Sequence, residues 1–367
     1  VLFLSLGRKL VRTMKNKDIF TFRDAEKQAG PVAFSTMLKP AGSACNLDCG
    51  YCYYLDKAAQ YGGRQAVMAD DLLELYIRQY IEANEVPVVT FCWHGGEPLL
   101  LGRDFYRRAV ALQRKYAAGK RIENTLQTNG TLVDEAWCEL FAENGFLVGL
   151  SLDGPEDIHD AFRRTKGGRP TFARVMRTVG MFRRTGVEYN TLSVVNRACE
   201  GRGAEIYRFF RDTVGSRYMQ FLPAVEHVVD RAGLHRPLIV SPETQGARPA
   251  EWSVTAEGYG KFLCDIFDEW VVSDVGQCFV QLFDATLAQW CGVQPGVCSM
   301  GETCGDALVV EHNGDVYSCD HFVYPEYLLG NIRETPLAEI YRSRRRIDFG
   351  LAKRNALPAE CLRCRYY

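Results

Sequence analysis

Cys45-Asn46-Leu47-Asp48-Cys49-Gly50-Tyr51-Cys52 sets three cysteines at CxxxCxxC spacing just after a strand-like run, and the number of thiols decides how the stretch reads. A structural zinc site closes a tetrahedron with four ligands, whereas three thiolates on a four-iron cluster leave one iron open to bind something else. The loop therefore reads as a place where chemistry can start. The alternative on these residues alone is a zinc knuckle completed by a distant Cys or His.

The rest of the composition sets bounds. The chain has 367 residues, 47% hydrophobic and 24% charged, the profile of one large globular domain plus a smaller one. A formal net charge of -1 offers no electrostatic footprint for nucleic acid, and no nucleic-acid partner is expected; Arg342, Arg344, Arg345 and Arg346 read as a solvated helix face. The cysteine count of 14 would mean disulfides in a secreted chain. Here the early CxxxCxxC and the late CxxC are cluster spacings that need a reducing compartment, so a cytoplasmic location is expected. Val1 to Leu6 is apolar but has no preceding basic region and is broken by Gly7-Arg8-Lys9, so it does not read as a signal peptide, and Met14 reads as the true start. No run approaches the roughly 18 apolar residues of a membrane span, and no membrane partner is expected.

After the loop, helix-like and strand-like segments alternate, the pattern of βα units on a parallel sheet. Strands are expected at Pro31 to Leu38, Pro87 to Trp93, Ile122 to Gln127, Phe146 to Leu152, Val187 to Val195 and Tyr218 to Leu222. Helices are expected at Ala69 to Ala83, Asp104 to Tyr116, from Asp134, at Thr171 to Thr185 and at Ala204 to Thr213. These strands predict an α/β fold with a partial (β/α)6 barrel, because a closed eight-fold barrel takes about 250 residues. Glu226 to Trp252, rich in Pro, Gly, His and Arg without a period, reads as a linker or substrate-side loop. Tyr259 to Val272 carries Phe262, Leu263, Ile266, Phe267 and Trp270 at helical spacing, a core-facing stripe. Ala307 to Val310 and Val316 to Cys319 read as a β-hairpin about Asn313-Gly314, the pair supplying the positive φ angles of a tight turn.

Two further stretches fall at strand ends, where a parallel barrel places its functional loops. They are Trp93-His94-Gly95-Gly96-Glu97-Pro98 and Ser151-Leu152-Asp153-Gly154-Pro155, the latter followed by His159 and Arg163. Each alone is a turn. Together with the cysteine loop they resemble the radical S-adenosylmethionine superfamily, in its branch of anaerobic sulfatase-maturating enzymes, over most of the chain. The resemblance implies a [4Fe-4S] cluster on Cys45, Cys49 and Cys52 whose open iron is chelated by the amino and carboxylate groups of S-adenosylmethionine. It implies cofactor contacts at Tyr51, Gly96, Ser151, Arg163 and Val225.

The last third resembles the same family's auxiliary-cluster (SPASM) domain, which carries up to two more [4Fe-4S] clusters. By that likeness Cys298, Cys304 and Cys319 belong to the first and Cys361 with Cys364 to the second, while Cys92, Cys138, Cys199, Cys264, Cys278 and Cys291 read as small inert hydrophobes. The family pattern runs on past the CxxC with three more cysteines, and this sequence stops at Tyr367, so the ligand set is expected to be incomplete and the domain truncated at its C-terminus. The expected organisation is an N-terminal extension over 1–30, the partial barrel over 31–225, a linker over 226–255 and the small auxiliary cluster domain over 256–367.

The resemblance implies an activity. A 5'-deoxyadenosyl radical takes a hydrogen from the β-carbon of a cysteine or serine in an unfolded sulfatase, Asp320 beside Cys319 acts as the base, and an auxiliary cluster accepts the second electron, leaving formylglycine. A low-potential electron donor of flavodoxin or ferredoxin type is the implied partner. The alternatives are a radical maturase that makes thioether or carbon–carbon crosslinks in another ribosomal peptide, and a non-catalytic iron–sulfur sensor.

Overall fold

Six parallel strands follow one another across the main sheet in chain order: β1 (Ser35–Lys39), β2 (Val88–Trp93), β3 (Arg121–Thr128), β4 (Phe146–Ser151), β5 (Tyr189–Val195) and β6 (Tyr218–Pro223). The helices between them are α1 (Asp70–Ala83), α2 (Arg103–Tyr116), α3 (Glu135–Glu143), α4 (Glu156–Phe162), α5 (Phe172–Thr185) and α6 (Gly203–Arg208), the last continued by a wider turn over Phe209–Val214. This computed structural model describes residues 32–61, 67–230, 236–241 and 244–367. The expected extension over 1–30, with Val1 to Leu6 and Met14, lies outside them.

Alternation along the strands separates two faces. Leu38, Phe91, Leu126, Val148, Leu150 and Phe221 join the main core beneath the helices, while the residues between them, Lys39, Cys92, Gln127, Ser151 and Gln220 among them, point to the other side of the sheet. Helix packing is what the amphipathic patterns demand: Leu72, Leu73, Tyr76, Ile77, Tyr80 and Ile81 form the buried face of α1. Gly186 in the left-handed region (φ 69°) ends α5.

The sheet does not stop at six strands. β10 (Phe279–Val280) pairs parallel with β6, and β11 (Ala307–Glu311) pairs parallel with β1, Ser35 opposite Ala307 through Lys39 opposite Glu311. β12 (Asp315–Tyr317) and β13 (Leu328–Asn331) then continue antiparallel from β11. The full order, β10-β6-β5-β4-β3-β2-β1-β11-β12-β13, is open at both ends. The sheet thus crosses the boundary that the sequence places at residue 256. A two-residue strand such as β10 leaves no periodic signal to read.

The stretch over 226–255, read as a linker or substrate-side loop, contains regular structure of its own. It holds a three-stranded antiparallel sheet of β7 (His227–Val229), β8 (Leu238–Val240) and β9 (Arg248–Pro249), with β7 in the centre. Val228, Ile239 and Ala250 form its own small core against Tyr53 and Trp252. Helices α7 (Ala256–Ser273) and α8 (Gln281–Trp290) follow, and α9 (Leu337–Arg342), α10 (Arg344–Asn355) and α11 (Ala359–Arg363) end the chain. The hairpin between β11 and β12 turns through Gly314 alone (φ 92°), with its amide bonded to the Glu311 carbonyl at 2.9 Å; Asn313 does not share the positive φ. Arg346 departs from the solvated-face reading, being only 13% exposed at its side chain and paired with Asp306 at 3.2 Å. Among the described residues no helix is long and apolar enough to cross a membrane.

Candidate active site

The cysteine loop is held from two sides. From β2, the amide of Gly96 bonds the Gly42 carbonyl at 2.9 Å and that of Glu97 bonds the Ala44 carbonyl at 2.8 Å. The approach is so close that a Cβ on Gly96 would stand 2.1 Å from the Ala44 oxygen, which is why only glycine fits. Glu97 is fully buried, its carboxylate accepting from Leu99 N (3.0 Å), Thr128 Oγ1 (2.8 Å) and Asn129 N (2.8 Å). Burial pushes its pKa up to about 7 against those donors.

From the other side, the chain after α4 pairs with the loop: Asp48 N bonds the Arg164 carbonyl at 2.8 Å and Gly50 N the Phe162 carbonyl at 3.2 Å. Here the guanidinium of Arg163 grips Asp153 with Nε and Nη2, both at 3.0 Å, in a pair that is almost wholly buried. Tyr51 donates its hydroxyl to the same carboxylate, and its ring lies 5.6 Å from the Arg163 guanidinium. Ser151 accepts from Gln127 Nε2 at 2.9 Å. Tyr51 thus lies in the loop and Arg163 against it, while Gly96 and Ser151 stand at the C-terminal ends of β2 and β4. Val225, two residues beyond β6, is 62% exposed at the same end.

Cys45, Cys49 and Cys52 stand near enough to act on one another. Burial pushes the Cys45 thiol up to about 12, with Cys52 adding to the rise; Cys49 and Cys52 are also raised by burial, Cys49 with help from both neighbours. Three neighbouring buried thiols, costly to ionise unless a metal compensates them, are suited to serve together as ligands of a metal centre.

Asp320 reaches the same end of the sheet from the C-terminal third. Its carboxylate takes an ion pair from Lys39, at the end of β1, on one oxygen and the Tyr53 hydroxyl on the other. Lys39 is fully buried, and its ammonium also sits 3.5 Å above the ring of Tyr54. Burial alone would raise the Asp320 carboxyl; the charge of Lys39, the neighbouring His94 and the hydrogen bonds of Lys39 and Tyr53 overcome it and hold the group well below the usual carboxylate range. Burial keeps His94 neutral, its pKa lowered to about 4. Next to this group Tyr54 donates to the buried Glu311 at 2.5 Å, and Tyr53 stacks on His321 at 5.4 Å.

Lys39, Tyr53, Tyr54 and Glu311 are absent from the residues singled out in the sequence, and His94 and Asp153, quoted there within their stretches, were given no role of their own. Lys39-Pro40 directly before the cysteine loop and the Tyr53-Tyr54 pair directly after it were the available signals.

The later cysteines are arranged more loosely. Burial raises the Cys304 and Cys319 thiols, with Cys298 adding to both. Lys353 of α10 ties their loop by donating to the carbonyls of Cys298 (2.6 Å), Ser299 (2.9 Å) and Gly301 (2.6 Å). Cys361 and Cys364 are exposed, linked by the bond of Cys364 N to the Cys361 carbonyl at 3.2 Å. Of the cysteines read as inert, Cys138, Cys199 and Cys278 are buried, but Cys264 and Cys291 are exposed and burial does not explain them. A cavity of ≈ 820 Å³ opens at the opposite ends of β4, β5 and β6, lined by Leu147, Tyr189, Asn190, Tyr218 and Phe279. It does not include Asp320.

Residues 40–197 match the family model of the radical SAM superfamily, and residues 298–365 match that of an iron-sulfur cluster-binding domain, SPASM. A parallel βα sheet with a three-cysteine loop at the end of β1, joined to such a domain, defines that class of protein. A serine-type anaerobic sulfatase-maturating enzyme of Bacteroides thetaiotaomicron is 48% identical over 329 residues, 89% of this chain and 79% of its own length. A cysteine-type anaerobic sulfatase-maturating enzyme of Clostridium perfringens is 32% identical over 337 residues, 91% of this chain and 86% of its own. The solved structure of anSMEcpe with bound AdoMet and Cp18Cys peptide shares the fold with a TM-score of 0.79 at 30% identity, over 91% of this chain and 87% of that one. The chain belongs to the anaerobic sulfatase-maturating enzymes of the radical SAM superfamily.

Proposed function

We propose that this chain oxidises a serine side chain in an unfolded sulfatase segment to formylglycine. The observation that carries the reading is the meeting of Asp320, one residue from Cys319, with Tyr53, one residue from Cys52: it brings a carboxylate base from one cysteine set to the rim of the other. The serine preference follows similarity, since the serine-type relative is 48% identical and the cysteine-type one 32%.

The three thiols of the first loop fit an open four-iron group, while the five later ones are fewer than the eight that two fully ligated clusters take. Cys45, Cys49 and Cys52 would hold a [4Fe-4S] cluster, and Cys298, Cys304, Cys319, Cys361 and Cys364 would contribute to auxiliary clusters. When bound, these groups with S-adenosylmethionine supply hydrogen-atom abstraction and a one-electron sink. The chain's own residues do the rest. Gly96 has its amide engaged by Gly42, which leaves its carbonyl as the group that would meet the cofactor's cationic amino group. Ser151, Val225 and the Tyr51–Asp153–Arg163 set would supply the remaining cofactor contacts.

The oxidation removes two electrons and two hydrogens from the β-carbon and hydroxyl. Asp320 accepts the hydroxyl proton, being ionised at neutral pH, while Lys39 and Tyr53 aim its two oxygens. The thiols and clusters require a reducing compartment such as the cytoplasm, and a low-potential donor of flavodoxin or ferredoxin type is the partner that starts each turnover.

The test is anaerobic incubation of the reconstituted protein with S-adenosylmethionine, reductant and matched serine- and cysteine-type sulfatase peptides, read by mass spectrometry. Peptide aldehyde with 5'-deoxyadenosine is expected, faster from the serine peptide. Deoxyadenosine without aldehyde from either peptide would overturn the substrate assignment.

A further inference from the structure

The segment from Arg163 to Arg177 contains Arg163, Arg164, Lys166, Arg169, Arg174 and Arg177 and no Asp or Glu, in a chain of net charge -1. Apart from the buried Arg163, all of these are exposed. Among the described residues the five exposed side chains close no ion pair, and Arg164 gives Nη1 to the Gly168 carbonyl at 3.1 Å. Of the acids of neighbouring α4, Asp157 pairs with Arg202 at 2.5 Å, Asp160 sits against the segment and accepts the amides of Thr171 (2.8 Å) and Phe172 (2.9 Å), and Glu156 is exposed, so basic charge stays in excess.

This basic surface is built onto the cysteine loop. Thr165 N bonds the Arg169 carbonyl at 3.0 Å and Gly168 N the Thr165 carbonyl at 2.8 Å, closing a tight hairpin in which Arg164 bridges Pro170. On its other edge Thr165 bridges Leu47, and Asp48 N, one residue from Cys49, bonds the Arg164 carbonyl. One hydrogen bond and two peptide units thus separate the hairpin backbone from a cluster thiol. By contrast Arg236, which also faces the loop, pairs with Asp56 at 2.7 Å and Asp48 at 3.9 Å.

We propose that the hairpin over 164–170, with the exposed face of α5, is the docking surface for an acidic one-electron carrier protein of the flavodoxin or ferredoxin class. The proposal rests on the reading of Cys45, Cys49 and Cys52 as cluster ligands. In the encounter the carrier is oxidised by one electron and the cluster is reduced by one, and no proton or group changes hands. Uncompensated charge on a small exposed surface beside the acceptor is what a transient redox complex uses: it steers association and orients the partner without a large apolar contact.

The experiment compares the reconstituted protein with a Lys166→Glu/Arg169→Glu variant, whose side chains lie outside the site described above. A control carries the same charge change at Arg78→Glu/Arg107→Glu on α1 and α2. Two quantities are read. One is the affinity for oxidised flavodoxin by calorimetry at low salt and at about 0.5 M salt, where exposed charges are screened. The other is 5'-deoxyadenosine formation driven by reduced flavodoxin or by dithionite.

The proposal predicts that flavodoxin affinity and the flavodoxin-driven rate at subsaturating carrier both fall about tenfold or more at low salt in the hairpin variant. The gap closes at high salt, the dithionite-driven rate is unchanged and the control resembles the parent. Unchanged affinity, an equal loss in the control or an equal loss with dithionite overturns it. Neither readout requires the peptide aldehyde, so a failed substrate assignment leaves this test standing.

Discussion

Lys39, at the end of β1, closes a buried ion pair with Asp320 from the loop after β12, joining the first strand of the barrel to the domain that carries the later cysteines. The two residues are 281 positions apart. Their pairing gives the base its charge state and its aim at once, and four expectations start from it and from the loop contacts around it.

Replacing Lys39 with Met leaves Asp320 buried without its counter-charge. Removing one partner of a buried pair typically costs about 3–5 kcal/mol, and denaturant unfolding should show a loss of that order, partly recovered in Lys39→Met/Asp320→Asn. The sign with pH follows. The carboxyl is held low by Lys39, so it is ionised through neutral pH; without Lys39 burial prevails and raises it. The acid limb of aldehyde formation should therefore move to higher pH in Lys39→Met, and an unmoved limb would count against the pair's role.

Asp320→Asn keeps the size and hydrogen-bonding shape of the side chain while removing the base. General-base catalysis is typically worth about 10²–10⁴ in rate. Aldehyde formation should fall by that order with 5'-deoxyadenosine still produced, measured side by side in one anaerobic assay. Undiminished aldehyde would remove Asp320 from the mechanism.

Gly96→Ala places a methyl 2.1 Å from the Ala44 oxygen, a backbone atom that cannot yield without moving the cysteine loop. Overpacking of this kind costs about 1–3 kcal/mol, and the variant should bind less iron after reconstitution and lose S-adenosylmethionine affinity. Gly260→Ala is the control. It lies within α7 with open space at its Cβ, and Ala there should stabilise by about 0.5–1 kcal/mol. Equal iron content in both variants would show that the close approach is not required.

Glu97 has a folded-state pKa of about 7, raised by burial from 4.5. A raised carboxyl contributes its full stability below the unfolded value and loses it as pH rises through the folded one. The stability advantage of the parent over Glu97→Gln should therefore shrink between about pH 4.5 and 7, by roughly 1.4 kcal/mol for each pH unit crossed. A gap that widens with pH would mean that the three donors to its carboxylate outweigh burial.

Much was legible in the residues themselves. Alternating strand and helix periods, a three-thiol loop after the first strand and glycine-rich turns after the next ones are local features, and local spacing is enough to specify a parallel βα sheet with a cluster loop at its C-terminal rim. The cysteine spacing likewise pointed to a metal centre with three thiols in one loop, and it was the resemblance of the surrounding stretches that made a cluster of it in place of a zinc knuckle.

What only the tertiary structure decided depends on contacts between distant segments. β10 and β11 extend the sheet from the last third of the chain, and β7 to β9 order a stretch that has no period of its own, because strand pairing draws on a partner's edge as much as on local sequence. The same holds for the site. Lys39 is an ordinary basic residue until burial beside Asp320 makes it a counter-ion, and Asp153 is a turn residue until Arg163 and Tyr51 converge on it. Desolvation gives such pairs their meaning, and it exists only once the chain has closed around them.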